Sequence, residues 1–100
     1  MKVPVMPEAP ELSLKTSKTG QASLKWNSVD GASGYQIWRA NEKSGTYSII
    51  KTITDGEATS YLNSGLKSGK TYYYKVRAYV ELDGKKTFGE YSKIQSIQVK

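Results

Sequence analysis

An antiparallel β-sandwich is the fold class this sequence predicts, and three observations predict it. Alternating apolar and polar residues recur along the chain in short runs rich in β-branched and aromatic side chains. Turn signals built on Gly, Asp and Asn separate these runs, roughly every eight to twelve residues. No segment carries the period of a helix. One hundred residues suffice for a single domain with one modest core, so the expectation is an all-β unit of about seven strands in two sheets.

The elements follow in order. All three prolines, Pro4, Pro7 and Pro10, fall in the first ten residues. Proline donates no ladder hydrogen bond and holds the chain extended, so residues 1–9 read as a semi-rigid linker or an added leader, and 10–100 as the domain. Leu12 and Leu14 alternate with Ser13 and Lys15 in a short first strand. After the Lys18-Thr19-Gly20 turn, Ala22, Leu24 and Trp26 point inward from a second strand. A glycine-rich turn, Asp30 to Gly34, leads to a third over Gly34 to Ala40, with Tyr35 and Ile37 in one phase and Gln36 and Trp38 in the other. Thr46 to Thr54 is β-rich, but its apolar residues change parity, which a bulge or a sheet-edge position accommodates. Asp55-Gly56 is a turn, Thr59 to Leu62 a short strand, and Asn63 to Gly69 a polar connection holding Leu66.

The longest β-type run is Gly69 to Val80. Tyr72, Tyr74, Val76, Ala78 and Val80 share one parity and face a core. Tyr73, Lys75, Arg77 and Tyr79 share the other and face water or a partner. Asp83-Gly84 is the turn pair of a hairpin over 81–88. The last strand lies within Tyr91 to Val99, where a second parity change calls for another bulge.

Composition narrows the chemistry. The net charge is +6, carried by 13 Lys and two Arg spread over the whole chain. Scattered lysine protects sheet edges from aggregation, whereas nucleic-acid binding wants a concentrated patch, so no nucleic-acid partner is expected. The absence of Cys and His excludes disulfides, zinc sites built from those residues, and any His-dependent triad or Cys nucleophile. No run is apolar enough for a membrane helix, so no membrane insertion is expected. The nine carboxylates sit mostly in turns or near strand ends, and none has calcium-loop spacing. No catalytic residue, metal or cofactor is expected. Gly65 to Thr71 looks like a phosphate-binding loop, but it has three residues between its glycines instead of the required four, and a strand follows where a helix is needed.

Taken together, Pro10-x-Leu12, Trp26, Gly34 to Arg39, Leu66-x-x-Gly69-x-x-Tyr72 and Gly89-x-Tyr91-Ser92 resemble a fibronectin type III domain, in its bacterial, Gram-positive-like form. The resemblance implies an immunoglobulin-like sandwich of three strands against four, with Trp26 central to a core that includes Leu24, Tyr35, Ile37, Leu66, Tyr72, Tyr74 and Val76. It also implies that Tyr72 is a tyrosine corner, bonding to backbone near Leu66 to Gly69, and that the termini leave at opposite ends. The Arg-Gly-Asp of integrin-binding members is missing from the 81–88 hairpin, so that adhesion does not carry over. The function implied is a non-catalytic extracellular module, secreted or at the cell surface, that spaces the neighbouring domains of a larger protein and is a monomer in isolation. The alternative is a binding module for carbohydrate, cell-wall polymer or protein, acting through Gln36, Trp38, Tyr73, Lys75, Arg77 and Tyr79 or through the hairpin. Plain cross-strand packing, with the Lys75 and Arg77 stems covering the rings, is the favoured reading of that face.

Overall fold

The computed structural model describes residues 7–16 and 18–100. The part of the expected linker that runs from Met1 to Met6 lies outside the described residues. Eight antiparallel strands form two sheets: β1 (Leu12–Lys15), β2 (Ala22–Trp26), β3 (Gly34–Ala40), β4 (Ser48–Ile53), β5 (Ser60–Asn63), β6 (Thr71–Leu82), β7 (Lys85–Phe88) and β8 (Gln95–Gln98). The smaller sheet has the order β1-β2-β5. The larger has the order β4-β3-β6-β7, with β8 also on β6.

The expected four-stranded sheet is thus five-stranded, for a specific reason. β7 and β8 lie along the same edge of β6, and the chain between them never leaves it: the Gly89 and Ser92 N–H groups donate to the Ala78 and Val76 carbonyls. From Tyr79↔Phe88 to Tyr74↔Gln95, five steps along β6 face seven along its partner. The extra residues interrupt one long edge strand, which is the bulge that the parity change near Ile94 calls for. Ser92 repairs the gap. Its Oγ accepts from the Val76 N–H (3.0 Å) and donates to the Lys93 carbonyl (3.1 Å). The parity change in β4 has a similar origin. Ile37 pairs with Lys51 and Trp38 with Ile49, so Ile50 is the extra residue, on an edge strand.

Alternation along the strands builds the core. Ala22, Leu24 and Trp26 from β2 meet Tyr35 and Ile37 from β3 and Tyr72, Tyr74, Val76 and Ala78 from β6, all buried. Trp26 and Tyr35 sit ring against ring, 5.6 Å between centroids. Leu66 is partly buried against this cluster.

Three buried phenols of the core, those of Tyr35, Tyr72 and Tyr74, find polar partners that offset the cost of burying a hydroxyl. Tyr35 accepts from the Val29 N–H (2.8 Å) and donates to the Gly56 carbonyl (2.9 Å), tying two turns together. Tyr72 accepts from the Lys67 N–H at 2.9 Å and closes the corner before β6, where Gly69 takes a positive φ of 82°. The phosphate-loop-like stretch is therefore this corner, and it runs into a strand. Tyr74 links the sheets. It donates to Asn63 Oδ1 on β5 (2.6 Å), which also accepts from Arg39 Nη1 on β3 (3.1 Å).

Asp83 and Gly84 both have positive φ (52° and 77°), the geometry of a two-residue hairpin turn, with Leu82 paired to Lys85. At the opposite end of β6, Val99 donates to the Lys70 carbonyl (3.0 Å). Pro7 is buried, and its carbonyl lies where a side chain on Gly89 would sit, beside Ala78. Along β6, Thr71 and Ala78 are seven residues or about 23 Å apart, so Val99 and Pro7 lie at well-separated points on the domain.

Two outcomes follow. Tyr72→Phe should lower the unfolding free energy in urea by about 1–2 kcal/mol through the lost corner hydrogen bond, and an unchanged midpoint would count against the corner. The second concerns pH. Burial pushes the Tyr74 phenol up to about 12 from its ordinary value of 10.0, against the lowering pull of Arg39. The unfolded chain therefore gives up this proton first, so the stabilisation is whole below pH 10 and is lost as pH rises toward 12. Across that window the stability of the wild type should fall more steeply than that of Tyr74→Phe; parallel curves would contradict it.

Candidate functional site

The outward residues of β3 and β6 create one continuous surface on the larger sheet. Cross-strand pairing sets Gln36 beside Arg77 and Trp38 beside Lys75. Bulged neighbours contribute three rings that alternation within β3 and β6 does not reveal: Tyr47 from the segment before β4, Phe88 from the end of β7, and Tyr91 from the interruption before β8.

Cations and rings alternate across this face. Lys75 Nζ lies 4.7 Å from the Tyr47 ring centroid and 3.9 Å from that of Tyr91. The Arg77 guanidinium lies 4.8 Å from Tyr91, 4.0 Å from Phe88 and 5.5 Å from Trp38. The edge of Trp38 meets Tyr91 at 89° with centroids 6.0 Å apart. Arg77 Nε also donates to Gln36 Oε1 (2.9 Å), which holds the guanidinium over this row of rings. Among the described residues neither cation has a carboxylate partner, and the ion pair found is Lys86 with Glu81 in the hairpin, at 3.6 Å. Ring quadrupoles replace counter-ions here. Tyr73 lies near Tyr47, whose phenol is raised by burial and then by Tyr73.

Two residues do not take the places expected for a flat platform. Tyr79 lies on the outward parity but is only 1 % exposed. Its cross-strand partner is Gly34, and the absent side chain there lets the Tyr79 ring collapse onto the strand, with Phe88 against it at 6.1 Å and Lys86 Nζ over it at 5.5 Å. Tyr79 is thus removed from the accessible surface. Trp38 is half-buried beneath Arg77 and Tyr91, and its Nε1 is enclosed with no hydrogen-bond partner among the described residues. Gln36, Tyr73, Lys75 and Arg77 are gathered on the face and are each half-buried. Among the described residues no cluster of three or more acidic, His or Cys side chains is placed to hold a metal. No helix is long and apolar enough to cross a membrane.

The wider comparisons agree with this architecture. No family model matches the chain. An Fn3-like protein from Clostridium thermocellum, known from its crystal structure, superposes with a TM-score of 0.70 at 30% identity, covering 99% of this chain and 96% of that one. The chain belongs to the fibronectin type III family. Other relatives are much longer proteins. An amylopullulanase from Thermoanaerobacterium saccharolyticum is 33% identical over 76 residues, which is 76% of this fibronectin type III domain and 6% of the enzyme. A poly(3-hydroxybutyrate) depolymerase from Ralstonia pickettii is 36% identical over 67 residues, 67% of the domain and 12% of the depolymerase. The domain thus resembles modules of large multidomain proteins and spans only a small fraction of their length.

Proposed function

We propose that this fibronectin type III domain is a non-catalytic spacer that sets the distance and orientation of neighbouring domains in a larger secreted or cell-surface bacterial protein. One observation carries the reading. Similar modules occupy small fractions of proteins named for unrelated chemistries, glucan hydrolysis and polyester cleavage, so the module is indifferent to the reaction beside it. The geometry is consistent with that role. A sandwich 52 Å along its longest axis, with chain attachment points well apart along β6, transmits position as a stiff strut. Its partners on this reading are the adjoining domains of its own chain, and the isolated domain is a monomer.

The alternative reading, recognition through the outer face, has less to support it than alternation in the sequence alone offers. Tyr79 is buried, and the accessible rings are already engaged by Lys75 and Arg77. The 81–88 hairpin offers an exposed Leu82 and the Lys86–Glu81 pair.

The test is a module exchange in the multidomain chain that carries the domain. Replacement by an unrelated fibronectin type III domain of equal length should preserve the activity of the parent protein, and a flexible Gly/Ser linker should reduce it. Recovery only with the native surface residues would overturn the spacer assignment.

A further inference from the structure

Both sheets carry cations on their outer faces, and the two faces differ. On the larger sheet Lys75 and Arg77 are engaged by rings. On the smaller sheet strand pairing sets Ser13, Lys25 and Ser60 in one outward row and Lys15, Ser23 and Leu62 in the next. The face continues past Lys15 into the loops of Lys18 and Lys67. These loops are tied together: the Leu66 N–H donates to the Gly20 carbonyl (2.9 Å), and the Gly20 N–H to the Lys100 carbonyl (2.8 Å). Lys15, Lys18, Lys25 and Lys67 are all exposed. We propose that this strip of lysine and serine, running from Lys25 through Lys15 and Lys18 to Lys67, binds a linear polyanion that carries phosphate groups along its length.

The first support is charge without a counter-charge. Residues 12–26 and 60–70, which supply the whole smaller sheet and its lower loops, contain no Asp or Glu. Among the described residues, none of the four lysines has an ion-pair partner or stands over a ring. Lys70, next along the corner, is turned to the Tyr72 ring at 5.6 Å. Lys25 pairs with Ser13, so Lys15 is its diagonal neighbour, about 7–8 Å away. That is within one Debye length at physiological salt, about 8 Å, so the ammonium groups repel one another until an anion lies between them.

The second support is shape and chemistry. The serines are short, so the lysines rise from a flat floor on which an extended chain lies without obstruction, and the serine hydroxyls donate to its oxygens. No outward residue of the strip is aromatic, so it has no platform for stacking bases, which sets it apart from a single-stranded nucleic-acid site. Both arginines lie elsewhere, Arg39 on Asn63 and Arg77 among the rings. A planar carboxylate is best met by a guanidinium fork, whereas a lysine ammonium acts as a compact point charge on phosphate. Glu11 and Glu57 precede β1 and β5 at the far end of the sheet, so the polymer leaves the strip on the Lys67 side. The proposal goes beyond the spacer reading and does not rest on it.

The test is titration of the ¹⁵N-labelled domain with inorganic polyphosphate, followed by amide shifts at several salt concentrations. Shifts should be confined to residues 13–25 and 60–70, and log affinity should fall with log salt at a slope of about −3, as four lysine contacts require. Lys15→Gln with Lys25→Gln, both at outward positions, should weaken binding roughly tenfold and bring the slope to about −1.5. Lys85→Gln with Lys86→Gln removes the same net charge from the hairpin at the other end of β6. That pair should change the affinity by less than about twofold, because it lies beyond a Debye length from the strip. Equal losses from the two pairs would show that net charge alone attracts the polymer and would overturn the proposal. So would an absence of shifts, shifts centred on Lys75 and Arg77, or tighter binding of polygalacturonate or oligothymidylate of equal charge.

Discussion

Between Thr71 and Leu82 the backbone of β6 is bonded to β3 along one edge and to β7 and β8 along the other. A strand held on both sides cannot slide by one residue without turning its core side chains to water. Its two faces are thereby fixed in opposite roles. Tyr72, Tyr74, Val76 and Ala78 must fill the core, and Tyr73, Lys75, Arg77 and Tyr79 must settle outside it. The hydroxyls of Tyr72 and Tyr74 then reach the corner at Lys67 and the inter-sheet node at Asn63, both of which depend on the register of this strand.

The outer face illustrates how magnitudes decide a structure. Ordering one long basic side chain costs about 1.5–2 kcal/mol of rotamer entropy. A single exposed cation–ring contact returns only about 0.5–1 kcal/mol. One contact would not hold Arg77 in place. Its three ring contacts and its hydrogen bond to Gln36 together can, and Lys75 gains from two rings in the same way. The face is thereby satisfied within itself. Such a surface is compatible with the proposed spacer role.

Much of this was legible in the sequence. Clean alternation in Ala22–Trp26 and in Tyr72–Ala78 identifies the inward residues of two central strands, since a period of two has a single meaning when no residue is inserted. Asp83-Gly84 reads as a hairpin turn because only such residues accept two successive positive φ values at small cost. The outer face was half legible. Lys75, Arg77 and Trp38 follow from parity, whereas Phe88 borders and Tyr91 lies within the interruption that breaks the count, and Tyr47 precedes a strand with its own bulge. Only the Gly89-x-Tyr91-Ser92 motif hinted at Tyr91. The burial of Tyr79 could not be read from its own strand, because it depends on Gly34 being its partner across the sheet.

The claim that this face is held by its own cations and rings is open to a direct measurement. In a double-mutant cycle built from Arg77→Met and Phe88→Leu, stem length and apolar bulk are kept while the charge and the ring are removed in turn. Urea unfolding of the four proteins should give a favourable coupling of about 0.5–1 kcal/mol, weakening little with added salt. Additive effects, with no coupling between the two positions, would show that the side chains merely lie side by side and would contradict the account.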